Sequence, residues 1–153
     1  MRADISLLFN FFVTGQRIRR LLGDAMAPSG MKPDEYAVYS LLFEMAPLTA
    51  TEMAEYLGMP LSTVLDYLKA MDAARHVERV QHPSDGRAVQ LRLSSRGLKA
   101  QERAHRDFVR VYDELVGSLR LPVDRVKNAL AAMDDAAQDV AARRRRAPRL
   151  TRT

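Results

Sequence analysis

The sequence predicts a mainly α-helical protein with one small β-hairpin, and three observations carry that prediction. Apolar residues recur every three or four positions along most of the 153-residue chain. One stretch, from Val77 to Leu93, changes to a period near two around a turn cluster. Gly58-Met59-Pro60 leaves almost no linker between two helical patterns. Apolar residues make up 47% and charged residues 28%, which excludes collagenous, low-complexity and wholly disordered chains. The length suits one domain with an extension.

Taken in order, the first helix spans Ile5 to Met26, with Ile5, Leu8, Phe9, Phe12, Leu21 and Leu22 mostly on one face. Pro28, Ser29 and Gly30 break it. Pro33, Asp34 and Glu35 suit the first turn of a second helix, beside the positive end of its dipole. Tyr36, Val38, Tyr39, Leu41, Leu42 and Phe43 make that helix apolar nearly all round, which implies burial. Pro47 stops it, and Thr49-Ala50-Thr51-Glu52 has the form of a capping box for a short third helix ending at Gly58. The fourth helix runs from Pro60 to Ala74, with Leu61, Val64, Leu65, Leu68 and Met71 expected inward and Ser62, Thr63, Asp66, Tyr67 and Lys69 outward.

Val77 to His82 and Val89 to Leu93 then form a hairpin around Pro83, Ser84, Asp85 and Gly86. Ser94 can cap a fifth helix, in which Leu98, His105, Phe108, Val111, Tyr112 and Leu115 hold helical spacing until Gly117. Pro122 opens a sixth. Its Val123, Val126, Leu130, Met133, Ala137 and Val140 repeat close to the 3.5 residues of a coiled-coil seam. Residues 143–153 carry six arginines without an apolar pattern and are expected to form a flexible basic tail.

No apolar run reaches the ~18 residues of a membrane span, and Ile5 to Val13 is interrupted by Ser6 and Asn10. The polar, basic stretch Gln16 to Arg20 does not suit a secretory signal, so a cytoplasmic protein with no membrane partner is expected. The absence of cysteine excludes disulfides, thiolate metal sites and thiol redox sensing. His76, His82 and His105 lack metal-ligand spacing, so no metal or cofactor is expected. No phosphate-binding loop, dinucleotide fingerprint or nucleophile elbow is present, and the chain is expected not to be an enzyme.

The net charge of +5 is unevenly spread. Residues 1–74 carry 6 basic and 9 acidic side chains, 75–110 carry 9 and 4, 111–142 carry 3 and 6, and 143–153 carry 6 and 0. Two cationic zones on a slightly acidic body are the footprint of a phosphate backbone, or of solvated charge. Three helices, the last two across a tight turn, followed by a hairpin, is the order of a winged helix-turn-helix. A helix fits the major groove, about 12 Å wide, while a hairpin tip reaches the neighbouring minor groove or backbone.

Thr49 to Gly97 resembles the MarR family of bacterial transcriptional regulators. The most specific stretch is Asp85-Gly86-Arg87, followed by Leu93-Ser94 and Gly97, which looks like the family's wing motif and the entry to its next helix. The resemblance implies a single domain over 1–142, with a winged helix-turn-helix lobe at 32–96 and dimerisation helices at 1–27 and 97–142. It implies a homodimer on a palindromic double-stranded operator, most often a repressor released by a small aromatic or acidic ligand. Carried over by position, Ser62, Thr63, Asp66 and Lys69 of the recognition helix and Arg79, Asp85 and Arg87 of the wing would contact DNA. Arg87 would enter the minor groove, with Asp85 holding it. Arg75, Arg79, Arg92 and Arg96 are backbone contacts or solvated charges.

The family's effector cleft would draw on Phe9, Phe12, Tyr36, Tyr39, Phe43 and Tyr112, with Arg17 or Arg20 as an anchor; core packing explains the aromatics equally well. Two departures stand out. Asp66 sits where many DNA readers have arginine, and it either accepts from a cytosine amino group or faces solvent. Arg75 stands where the family commonly has glycine, which strains any left-handed turn there or requires a different one. The alternative function is an architectural or protein-interaction winged-helix module that binds DNA without selection, with the cationic tail supplying the attraction.

Overall fold

The computed structural model describes the backbone of residues 3–81 and 89–146, with side chains from Ser6 onward. The elements are α1 (Ala3–Met26), a single 3-10 turn (Ala27–Ser29), α2 (Pro33–Met45), α3 (Ala50–Leu57), α4 (Leu61–Ala73), β1 (Val77–Gln81), β2 (Val89–Leu93), α5 (Ser95–Gly117) and α6 (Val123–Arg146). The chain divides into two compact units, Met1–Tyr112 and Asp113–Thr153. The division falls within α5, so the helices that the resemblance assigns to dimerisation are shared between the units.

Local chemistry sets the element ends of the first unit. The Glu52 amide donates to Thr49 Oγ1 at 3.2 Å while the Thr49 amide donates to Glu52 Oε2 at 2.7 Å, completing the expected capping box. Gly58, at φ 62°, ends α3 in the left-handed region. Pro60 then stands before α4 as its cap residue and not within it, and the helix stops at Ala73, one residue short of expectation.

The core of this lobe joins Val38, Tyr39, Leu41 and Leu42 of α2 to Met53, Val64, Leu68, Met71, Val77, Leu93 and Ala100. On α4, two expectations are corrected. Leu61 and Leu65 are 43% and 49% exposed, whereas Tyr67, expected outside, packs partly buried on the core. Leu61 is the first residue of α4 and is exposed at the helix end, and the helical period decides Leu65 and Tyr67. At about 100° per residue, Val64, Leu68 and Met71 fall within an arc of about 60°, and Leu65 lies about 100° from Val64. Only one arc can face α2, and the three fully apolar positions within it win.

The strands pair antiparallel in the register Val77–Leu93, Glu78–Arg92, Arg79–Leu91 and Gln81–Val89. The turn residues Pro83 to Gly86, and with them Asp85 and Arg87, lie outside the described residues. Leu48 adds a bridge to the hairpin: its amide donates to the Leu91 carbonyl at 3.1 Å, and its carbonyl accepts from the Leu91 amide at 2.8 Å. Between α4 and β1 the backbone reverses at Arg75, whose φ of 58° is the left-handed conformation that glycine adopts at no steric cost. The turn closes as a helix end normally does, His76 N donating to the Met71 carbonyl at 2.8 Å.

Ser94 fastens that turn to α5. Its hydroxyl donates to the Arg75 carbonyl at 2.7 Å, its amide to the His76 carbonyl at 2.9 Å, and Gly97 N donates to its Oγ at 3.1 Å. A Cβ on Gly97 would sit 2.0 Å from the His76 carbonyl oxygen, so only glycine fits. In the second unit, α6 has no buried residue among those described and continues through Arg143–Arg146, which were expected to open a flexible tail. Arginine has good helix propensity, and cations are favoured at a helix C-terminus by the dipole.

Gly97→Ala is expected to lower the unfolding free energy by about 3 kcal/mol, because backbone meets the added methyl. Arg75→Gly is expected to raise it by about 0.5 kcal/mol, relief of the left-handed strain exceeding the extra entropy of the unfolded chain. Urea denaturation, with the midpoint moving at constant slope, checks both.

Candidate nucleic-acid interface

α3, the Gly58 turn and α4 form a helix-turn-helix, and the hairpin follows it as a wing. On α4, Ser62, Asp66 and Lys69 are exposed and Thr63 is half-buried, so the four expected contact residues spread from an outward face to its edge. Beside the first three stand Leu61 and Leu65. Among ionisable groups α4 carries Asp66, Lys69 and Asp72, one more acid than base. Apart from Lys69, the cations nearest this face among the described residues are Arg75 at the turn after α4 and Arg79 and Arg92 on the strands. Arg79 is exposed on β1 and has no ion-pair partner among the described residues. Arg92, by contrast, is committed to its cross-strand neighbour Glu78, with Nη2 3.0 Å from Oε2. Arg75 is exposed at its turn. A groove of about 360 Å3 runs between the outer edge of α4 and the hairpin, lined by Leu65, Lys69, Asp72, Arg79 and Val89 among others.

Two tyrosine–histidine pairs brace the lobe from α2. The Tyr39 hydroxyl and His76 Nδ1 share a hydrogen bond of 2.7 Å, as do the Tyr36 hydroxyl and His105 Nδ1. Burial, helped by the charge of Glu35, pushes Tyr39 up to about 12. Burial likewise raises Tyr36. His76 is lowered from its ordinary value, first by burial and then by the charges of Arg96 and Arg103, with Glu35 opposing. Both members of the first pair are thus held neutral, tying the turn after α4 to α2. In the sequence His76 stands only as a rejected metal ligand, and His105 as that and as one position of the fifth helix's periodic face. The spacing of Tyr36 and Tyr39 on one helix offered no sign that each hydroxyl has its own imidazole.

The seven expected effector residues are not brought together. Tyr39 belongs to the main core, and Tyr36 to a second cluster with Met26 and Ala104. Tyr36 and Tyr112 do share an aromatic row through Phe108, with ring centroids 5.0 Å and 6.4 Å apart. Phe9 and Phe12 are exposed on α1, Phe43 is exposed near the end of α2, and Arg17 is exposed. It is Arg19, not Arg17 or Arg20, that is engaged on α1, pairing with Asp34 at 2.6 Å. None of the seven lines the groove beside α4. No group of three or more metal-ligating side chains occurs among the described residues. No helix among them is long and apolar enough to cross a membrane.

This arrangement defines a winged helix-turn-helix flanked by long helices, and solved structures share it. No family model and no curated protein matches the chain. Among solved structures, the repressor CouR bound to a 23-mer DNA duplex superposes with a TM-score of 0.74 at 24% identity, over 88% of this chain and 96% of that one. A cysteine-to-serine variant of MarR from E. coli, complexed with operator DNA, gives 0.75 at 23% identity, over 85% and 94%. The M. tuberculosis transcriptional regulator MosR in complex with DNA gives 0.74 at 20% identity, over 87% and 96%. The chain therefore has the MarR-type winged-helix fold.

The neutral state of His76 sets a pH dependence. The unfolded chain takes up this proton near 6.5, whereas the folded chain does so only at lower pH. The unfolded state thus binds more protons in that window, and stability rises with pH through it. The urea midpoint is expected to fall as pH is lowered from about 7 to about 5.5, and to fall less in His76→Gln.

Proposed function

We infer that this chain is a cytoplasmic DNA-binding transcriptional regulator, acting as a homodimer on a palindromic double-stranded operator. We infer further that it is a repressor released by a small aromatic or acidic ligand. The observation that carries the reading is the open face of α4 beside a cationic hairpin, in a fold whose solved neighbours hold DNA. A recognition helix places its N-terminal side chains on base edges; Ser62, Thr63 and Asp66 occupy that part of α4, and Lys69 follows one turn on. Arg79 on β1 supplies a phosphate contact and Arg87 of the wing a minor-groove contact, with Asp85 holding Arg87 in position.

Dimerisation is supported by α1, where Leu7, Leu8, Phe9, Phe11 and Phe12 are each more than half exposed. Five adjoining large apolar side chains in water are the mark of an interface. The effector reading is supported by the half-open aromatic row of Tyr36, Phe108 and Tyr112. Phe9, Phe12 and Arg17 lie on α1, and Tyr39 and Phe43 on α2.

A second reading, an architectural or protein-interaction module that binds DNA without selection, is favoured by the acidic balance of α4 and by the four exposed arginines that end α6. Selection of bound duplexes from a random pool, followed by competition against random DNA at two salt concentrations, separates the two. The regulator enriches a palindrome, and Arg87→Ala and Arg79→Ala each weaken its binding by about ten-fold. The module enriches nothing and loses its DNA affinity when the chain is cut after Ala142. Sedimentation of a Phe9→Ser, Phe12→Ser double variant is expected to show monomers where the parent chain is dimeric.

A further inference from the structure

The outward face of α4 is unusual for a DNA reader in what it offers. It presents no guanidinium, the usual partner of guanine, and no carboxamide, the usual partner of adenine. Instead its first two turns expose Leu61 and Leu65, and beside them Ser62 and Asp66. Leu61 and Leu65 are four residues apart and so share one stripe; Ser62 and Asp66 share the neighbouring stripe. The apolar stripe is left in water because the core takes Val64, Leu68 and Met71. It also continues towards the hairpin, since Leu65 and Val89, which is 49% exposed, line the same groove.

In the major groove the single apolar feature of a base edge is the C5-methyl of thymine; the donors are the amino groups of cytosine and adenine, and only cytosine presents its donor without an acceptor beside it to repel a carboxylate. Resting on the reading of the chain as a DNA-binding regulator, we propose that α4 selects its half-site through thymine methyl groups packed on Leu61 and Leu65, and through a cytosine amino group donating to Asp66. A carboxylate close to a phosphate backbone is repelled by it. Asp66 is therefore tolerated only where a base donor satisfies it, which sets the residue against the acceptor-only edges of guanine and thymine and, through repulsion from N7, disfavours adenine.

The test uses the full chain and duplexes enriched from a random pool. Each thymine of the enriched half-site is replaced in turn by deoxyuridine, which removes only the C5-methyl. At one or two positions affinity is expected to fall about four-fold, the ratio that burial of one such group is worth. Leu65→Ala is expected to weaken binding to the thymine duplex by a similar ratio and to abolish the difference between thymine and deoxyuridine. Asp66→Asn is expected to move the preference at one position from cytosine to adenine, because the amide recognises adenine. A selectively bound site at which no deoxyuridine replacement changes affinity overturns the proposal and leaves the regulator reading standing. A chain that enriches no site at all overturns both. Leu65 is half exposed, so the fold does not depend on it, and the deoxyuridine arm leaves the protein untouched.

Discussion

The seat of the His76 carbonyl on Gly97 is the contact from which the lobe takes its geometry. Three elements converge there: the end of α4, the start of β1 and the first turn of α5. The 2.0 Å that a Cβ would leave to the carbonyl oxygen forces glycine, and the missing side chain brings the two backbones together. Ser94 then serves both sides at once, bonding the carbonyls of Arg75 and His76 and accepting the Gly97 amide. A helix whose last turn is pinned in this way cannot rotate about its own axis without breaking all of these bonds, so which side chains α4 shows to the outside is fixed by a turn at its far end.

α2 supplies the counterpart. Its two tyrosines, three residues apart, each bury a ring and each need a partner for the hydroxyl. Tyr39 finds it in His76, and so reaches the same turn that Gly97 and Ser94 hold; Tyr36 finds it in His105 on α5. The lobe is thus braced by polar bonds at the edges of its core, while Val38, Leu42, Val64 and Met71 fill the centre. The bridge of Leu48 to Leu91 does for β2 what the turn does for β1, tying the hairpin to the segment between α2 and α3.

What the sequence showed and what it hid divide along the range of the interactions. The capping box at Thr49, the left-handed Gly58, the Ser94 cap and the hairpin strands all depend on residues a few positions apart, and each was readable. So was the departure at Arg75, because a left-handed turn after α4 leaves few residues at ease. The phase of α4 was not. Leu61 and Leu65 are as apolar as Val64 and Leu68, and only the direction of α2 decides which pair is buried. The one-residue bridge at Leu48 has no period to read. The aromatics of α1, α2 and α5 suit a cleft or a core equally well in the sequence, and nothing there showed that Tyr36 and Tyr39 bond histidines 69 and 37 residues away. Arg143–Arg146 looked like a tail because charge without apolar spacing is also what a helix end in water looks like.

The same geometry separates two properties that many DNA-binding helices combine. Residues 75–110 carry 9 basic and 4 acidic side chains, five of the nine on α5, while α4 itself has one more acid than base. Attraction to phosphates falls steeply with salt and carries no base information. Base contacts carry information and depend little on salt. With cations on the hairpin, its turn and α5, and with leucine, serine and aspartate on α4, the two terms sit on different elements. A helix that gains nothing from the backbone field must be delivered to the groove by its neighbour. Such delivery is useful only if hairpin and helix keep one orientation. The rigid junction at Arg75, His76, Ser94 and Gly97 is therefore as much a part of recognition as the side chains that touch a base.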